Sequence, residues 1–125
     1  ITDCIMIAIP IELIEYLCRN NDKVFIRIYQ LLCDNQRQQI EYHMALSSKS
    51  AKARVIKLLI YLCHMIGYDN DEFYEIKSFL TIQMISDLAS ISRETTGHII
   101  QELKEHNILL KHHKNWIISK QISEL

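Results

Sequence analysis

Residues 80–119 read LTIQMISDLASISRETTGHIIQELKEHNILLKHHKNWIIS. Thr81 is placed to cap a helix, since its hydroxyl can accept from an N–H group that a helix start leaves unpaired. Ile85, Leu88 and Ala89 follow on one face of a short helix. SIS at 90–92 makes a tight turn, and Ser92 caps a second helix from Arg93 to about Glu105. The helical period turns Thr96, Ile99, Ile100 and Leu103 inward. Ile108 to Leu110, then KHHKN, then WIIS predict a small hairpin. Two short helices, a three-residue turn and a β-wing make a winged helix-turn-helix, in which the second helix can enter a major groove.

The second helix carries the chemistry for reading bases. Arg93, Glu94, Thr95, His98 and Gln101 fall outside its core period, near its start. Arginine can bridge guanine O6 and N7, glutamate can accept from cytosine N4, and threonine can meet a thymine methyl. Gly97 keeps the helix slim where it nears the DNA backbone or its neighbour helix. Lys111, His112, His113 and Lys114 at the wing tip can neutralise phosphate. Ser92 and Thr81, at the two helix starts, complete the candidate DNA contacts. For an isolated charged residue a solvated helix face is the commoner explanation; here the set gathers at one helix start.

Working back from that stretch, FYEIKSF (73–79) reads as a strand and YDNDE (68–72) as an acidic turn. Gly67 is placed as the left-handed residue that ends a helix over 51–66, with Val55, Leu58, Leu59, Leu62 and Ile66 inward. SSKS (47–50) is a polar break with capping hydroxyls. From Lys23 to about Leu46 there is no Gly or Pro, which predicts one long helix with Asp22 as its N-cap. Ile28, Asn35 and Tyr42 recur every seven residues, with Val24, Leu31, Gln38 and Ala45 at the second seam position. Phe25, Leu32, Gln39 and Leu46 lie beside them. A seven-residue seam predicts pairing with a parallel partner helix, and Asn35 is a register-setting residue type. An ordinary amphipathic core helix is the alternative. Before it, NND breaks the chain, residues 11–19 form a short helix with Ile11, Ile14 and Leu17 or Cys18 on one face, and Pro10 fits its first turn. Residues 2–9 alternate loosely and predict a strand.

Composition excludes several classes. Of 125 residues 49% are hydrophobic and the net charge is -1, which excludes a disordered chain. Gly 2 and Pro 1 fall far below the roughly 9 and 6 of average usage, so sandwiches, barrels and Gly-rich phosphate loops are excluded. The chain is mainly α. Cys4, Cys18, Cys33 and Cys63 match no zinc or iron–sulfur spacing and read as buried free thiols of a reducing cytoplasm. VIKLLIYLCHMIG is interrupted by Lys57 and His64 and is too short for a membrane span, and ITDCIMIAIPI, with no basic region, does not read as a signal peptide. The apolar, strand-like start without an initiator Met predicts that an N-terminal part precedes this chain. No enzyme is expected. Cys63 and His64 are helix neighbours pointing about 100° apart, so they cannot act as nucleophile and base. His112–His113 lacks metal spacing, and Glu12/Glu15 and Asp69/Asp71 suggest no acid–base dyad. The alternative function is a winged-helix protein–protein interaction module without DNA readout. The near balance of charge over 81–120, five Lys+Arg against four Asp+Glu, speaks for it.

On LTIQMISDLASISRETTGHIIQELKEHNIL the chain resembles the Crp/Fnr family of bacterial transcription regulators. SRETTGHII is similar to that family's recognition-helix signature, which implies base-reading roles for Arg93, Glu94 and His98. The resemblance covers essentially the whole chain. It implies that 1–21 end an N-terminal sensor domain, that 22–47 form the dimerisation helix and that 48–125 form the winged helix-turn-helix domain. It implies a cytoplasmic homodimer on a pseudo-palindromic double-stranded operator, with RNA polymerase as a partner and no membrane. HMALSSKSAK and GYDNDEFYEIKSFLTIQ resemble the staphylococcal branch that governs the arginine deiminase pathway. That implies an activator of arginine catabolism genes under anaerobic conditions. Where the cyclic-nucleotide branch supplies Thr and Ser to the purine, this chain has about Gln39 and Ile40. No cofactor is expected in this chain. A small-molecule effector, with a cAMP-like nucleotide left open, belongs to the N-terminal domain. Ser90 stands in the turn where the family often has Gly.

Overall fold

The computed structural model describes residues 4–77 and 80–125, and the chain divides into two compact units after Ile40. In the first unit residues 4–10 have no regular structure, where alternation had predicted a strand over 2–9. Residues 2 and 3 lie outside the described residues. An extended segment needs a partner for its N–H and C=O groups, and the described residues of this unit offer no second strand. Helix α1 (Ile11–Asn20) follows Pro10, whose carbonyl accepts from Leu13 N at 3.2 Å. Ile14 and Cys18 are half-buried, whereas Ile11 and Leu17 are exposed. Helix α2 (Asp22–Leu46) is capped by Asn21, not Asp22: the Asn21 Oδ1 accepts from Lys23 N at 3.0 Å, and Asp22 is already helical.

The second unit begins in the last turns of α2. Its Ala45 is buried. Helix α3 (Ala51–Ile66) starts at Ser50, whose Oγ accepts from Ala53 N. It buries Val55, Ile56, Leu58, Leu59 and Cys63. Leu62 is only half-buried, and Ile66 is exposed rather than inward, because the last turn runs past the core. Gly67 is extended (φ −80, ψ 149) and not left-handed. A glycine is needed there for a different reason: a Cβ would collide with the Cys63 carbonyl oxygen.

The first two residues of the acidic turn form a strand, β1 (Tyr68–Asp69), antiparallel to β2 (Phe73–Lys77). The remainder of the expected strand, residues 78–79, lies outside the described residues. Helices α4 (Ile82–Ala89) and α5 (Arg93–Glu105) follow, then β3 (Leu109–His112), β4 (Asn115–Ser119) and a closing 3₁₀ turn (Lys120–Glu124). The sheet is antiparallel in the order β1-β2-β4-β3. Its register sets Ile76 opposite Trp116, and Leu109 opposite Ile118, on the face that closes the core. Leu58, Leu59, Ile85, Ile100, Leu103 and Ile122 meet that face. The indole N–H of Trp116 donates to Leu80 O at 2.9 Å, so the large ring is buried without an orphaned polar atom. The architecture is mainly helical with a small sheet, as the winged helix-turn-helix reading requires.

Candidate nucleic-acid interface

The site is built from the caps upward. Thr81 Oγ1 accepts from Met84 N at 3.1 Å, which starts α4 and leaves the hydroxyl proton free to donate. At the other end Ser90 takes the left-handed conformation (φ 53, ψ 49). Its N–H reaches Asp87 O at 3.2 Å, and the Ile91 N–H reaches Ser86 O at 3.0 Å. These two bonds are a Schellman closure, with a serine where glycine is commonest. A non-Gly residue in that conformation costs about 1–2 kcal/mol. Ser92 then starts α5: its Oγ accepts from Thr95 N at 3.1 Å and bonds Thr95 Oγ1 at 2.8 Å. Ser92 spends its hydroxyl proton on Thr95 Oγ1, so Thr95 keeps its methyl and its own hydroxyl proton for a ligand.

Helix α5 is divided by burial. Thr96, Ile99, Ile100 and Leu103 are buried, as their spacing predicts. Arg93, Glu94, Thr95, His98 and Gln101 are all exposed. Among the described residues the side chains of Arg93, Glu94 and His98 have no hydrogen-bond or ion-pair partner, whereas Gln101 Nε2 donates to Glu105 Oε1 at 3.1 Å. A Cβ on Gly97 would meet nothing within 4 Å. That removes the neighbour-helix explanation of this glycine and leaves the one facing solvent. On the flank of the helix, Lys52 Nζ bonds Glu102 Oε1 at 2.6 Å. The hydrogen bond and the ammonium charge hold the Glu102 carboxyl below its ordinary value.

The wing is the two-residue connection between β3 and β4, with His113 left-handed at φ 54. His112 and His113 meet edge to face at 4.5 Å. Strand alternation puts Lys111 and His112 on opposite faces of the hairpin. The Lys111 ammonium lies 5.3 Å from the Trp116 ring centroid, while His112 is in register with Asn115, and Asn115 with Lys77. Asn115 Nδ2 donates to Glu75 Oε1 at 2.7 Å, and Lys77 stands 3.8 Å from the same carboxylate. Lys77 therefore joins the cationic edge. Only pairing across three strands brings it there, and spacing along the chain carries no sign of it. Lys114 is exposed at the tip. The Tyr42 hydroxyl, which donates to Leu88 O at 3.0 Å, is a second contact that no local pattern indicates.

The seam residues fall in both units. Val24, Ile28 and Gln38 are half-buried, and Leu31 and Asn35 are exposed. Tyr42 and Ala45 are engaged inside the second unit, Ala45 being 2% exposed, so neither has much surface left for another chain. A different face of α2 carries Phe25, Tyr29, Leu32 and Ile40, all more than half exposed, and the last three line a shallow groove of about 440 Å³ together with Cys33. The thiols correct another expectation: Cys63 is buried, Cys18 and Cys33 are half-buried, and Cys4 is exposed. The three less buried ones lie in the first unit, whose described residues contribute nothing to the core cluster. Burial pushes the Cys63 thiol up to about 12. Among the described residues no group of three side chains could hold a metal ion, and no helix is long and apolar enough to cross a membrane.

No family model matches the chain. It is 61% identical over 122 residues to an "HTH-type transcriptional regulator ArcR" of Staphylococcus epidermidis, covering 98% of this chain and 54% of that protein. It is 55% identical over 122 residues to a protein of the same description from Staphylococcus aureus, covering 98% and 52%. The chain thus spans about half the length of these relatives. Among solved structures, a CooA mutant from Carboxydothermus hydrogenoformans aligns with TM-score 0.70 at 15% identity, over 91% of this chain and 52% of that one. A CRP-family transcriptional regulator from Thermus thermophilus aligns with TM-score 0.64 at 13% identity, over 83% and 52%. At such identities the structures speak for the fold alone.

Proposed function

We propose that this chain is the helix-turn-helix region of a Crp/Fnr-type transcriptional regulator, and that α5 is its recognition helix and lies in the DNA major groove. The observation that supports this best is the sorting of α5 into a buried face and an exposed face of base-reading side chains. In this reading Arg93 bridges guanine O6 and N7, Glu94 accepts from cytosine N4, and the Thr95 methyl meets thymine. His98 and Gln101 extend the contact by one helical turn. Thr81 donates to phosphate from the start of α4, Ser92 holds the Thr95 hydroxyl at the start of α5, and Lys111, His112, Lys114 and Lys77 hold the wing on the backbone.

Two chains pair through α2 and place their recognition helices about 34 Å apart on a pseudo-palindromic operator. The exposed stripe of Phe25, Tyr29, Leu32 and Ile40 is the better seam, because it leaves the larger apolar side chains uncovered. The regulated genes are those of arginine catabolism, activated under anaerobic conditions in the cytoplasm together with RNA polymerase. The description shared by the staphylococcal relatives supports a helix-turn-helix transcription regulator, and the name ArcR suggests arginine metabolism.

Selection of duplexes from a random pool, followed by a salt titration, tests the proposal. Binding should weaken with salt at a slope near −0.9 per phosphate contact. Arg93→Ala should cost about 1–3 kcal/mol and relax preference at one base pair per half-site. No selected sequence and no salt slope would favour the protein–protein alternative.

A further inference from the structure

The long helix α2 ends inside the second unit, and there it touches the helix-turn-helix at one polar atom. Helix α4 has four terminal carbonyls that no intrahelical donor can reach. Its Schellman closure satisfies two of them, Ser86 O through Ile91 N and Asp87 O through Ser90 N. The Leu88 carbonyl is satisfied by the Tyr42 hydroxyl at 3.0 Å, across 46 residues of chain. Tyr42 is half-buried, and its ring is seated against Tyr61 with centroids 5.7 Å apart. The hydroxyl therefore works as a C-cap donated by another helix, two residues before the left-handed Ser90.

We infer that Tyr42 is a positioning residue for DNA recognition: through Leu88 it holds the turn that aims α5. The inference rests on the reading of α5 as the recognition helix. Ser90 holds a conformation that serine disfavours, so the turn depends on what surrounds it. Specific binding requires α5 in one orientation, and the apparent dissociation constant rises as the population in that orientation falls. Phosphate-dominated binding to random sequence tolerates a looser turn.

The test compares the full chain with its Tyr42→Phe variant, which keeps the ring and loses the hydroxyl. Tyr61→Phe is the control, since it alters the same ring pair and leaves Leu88 untouched. The probes are a duplex selected from a random pool on the wild type and a scrambled duplex of equal length. Tyr42→Phe should bind the selected duplex about three- to tenfold more weakly, with scrambled binding and salt slope unchanged. Amide exchange at Ser90 and Ile91 should quicken while that of Ile100 does not. Full retention of the preference, or equal losses on both duplexes, overturns the inference and leaves the DNA reading standing. A wild type without any preference overturns both. An equal loss in Tyr61→Phe assigns the effect to ring packing and overturns the role of the hydroxyl.

Discussion

Replacing Gly97 by alanine should make the fold more stable and the protein a worse DNA binder. Gly97 lies in the interior of α5, where glycine is about 0.8–1 kcal/mol less favourable than alanine. An added Cβ would find no atom within 4 Å, so no steric term offsets that gain. A gain of about 0.5–1 kcal/mol in a domain of this size raises Tm by roughly 2–8 °C. On the helix surface Gly97 lies one turn from Arg93 and one turn from Gln101, within the row proposed to face the bases. A methyl group in a close-packed interface costs about 1–3 kcal/mol, so affinity for the operator should fall roughly five- to 150-fold. Circular dichroism melts give the first quantity, and fluorescence anisotropy on a selected duplex gives the second. A lower Tm would refute the open space around Gly97. A raised Tm with unchanged operator affinity would refute the placement of this face against DNA.

The remaining expectations concern separate parts of the molecule. If α2 pairs two chains through its exposed stripe, Leu32→Asp should yield monomers in sedimentation at concentrations where Ile28→Asp still dimerises. The opposite order would restore the seam through Ile28 and Asn35. Lys111→Ala should lower the salt slope by about one unit without changing base preference, and a changed preference at constant slope would contradict a phosphate role. The depressed Glu102 carboxyl contributes stability that is present above the ordinary carboxylate range and lost as pH falls through its lowered value. The stability difference between wild type and Lys52→Met should therefore be constant above about pH 5 and shrink below it, and a pH-independent difference would sink the pairing. Thiol alkylation near neutral pH should take Cys4 rapidly and Cys63 only on unfolding, since burial keeps Cys63 protonated; equal rates would contradict its burial.

What was legible in the sequence was what repeats locally. The quartet Thr96, Ile99, Ile100 and Leu103 follows from the helical period alone, and Ser50, Thr81 and Ser92 announce their helices because a cap needs only residues two or three away. Local pattern misleads where the deciding partner is remote. The alternation in residues 4–9 promises a strand, but nothing among the described residues lies beside it to pair with. Gly67 looks like a left-handed cap, yet it is needed because the chain passes close to its own preceding turn. The Tyr42–Leu88 and Lys52–Glu102 bonds join residues 46 and 50 apart, for which a single sequence holds no signal. The α2 helix shows a subtler limit. Seven-residue spacing finds one stripe, and exposure finds a second one, through Phe25, Tyr29, Leu32 and Ile40, that spacing does not single out.

The single tryptophan gives the molecule a built-in optical reporter. Trp116 is 1% exposed, its indole N–H is bonded to Leu80 O, and a lysine ammonium stands over its ring. Its emission should be blue-shifted in the native state and move to the red when the 41–125 lobe melts. The first forty residues hold no such fluorophore, so their unfolding passes unseen in the same experiment. If the two units melt separately, a fluorescence curve and a helicity curve recorded on one sample will not superimpose. Because Lys111 is the cation over the ring, DNA drawing that ammonium away should also alter the emission intensity, without any label.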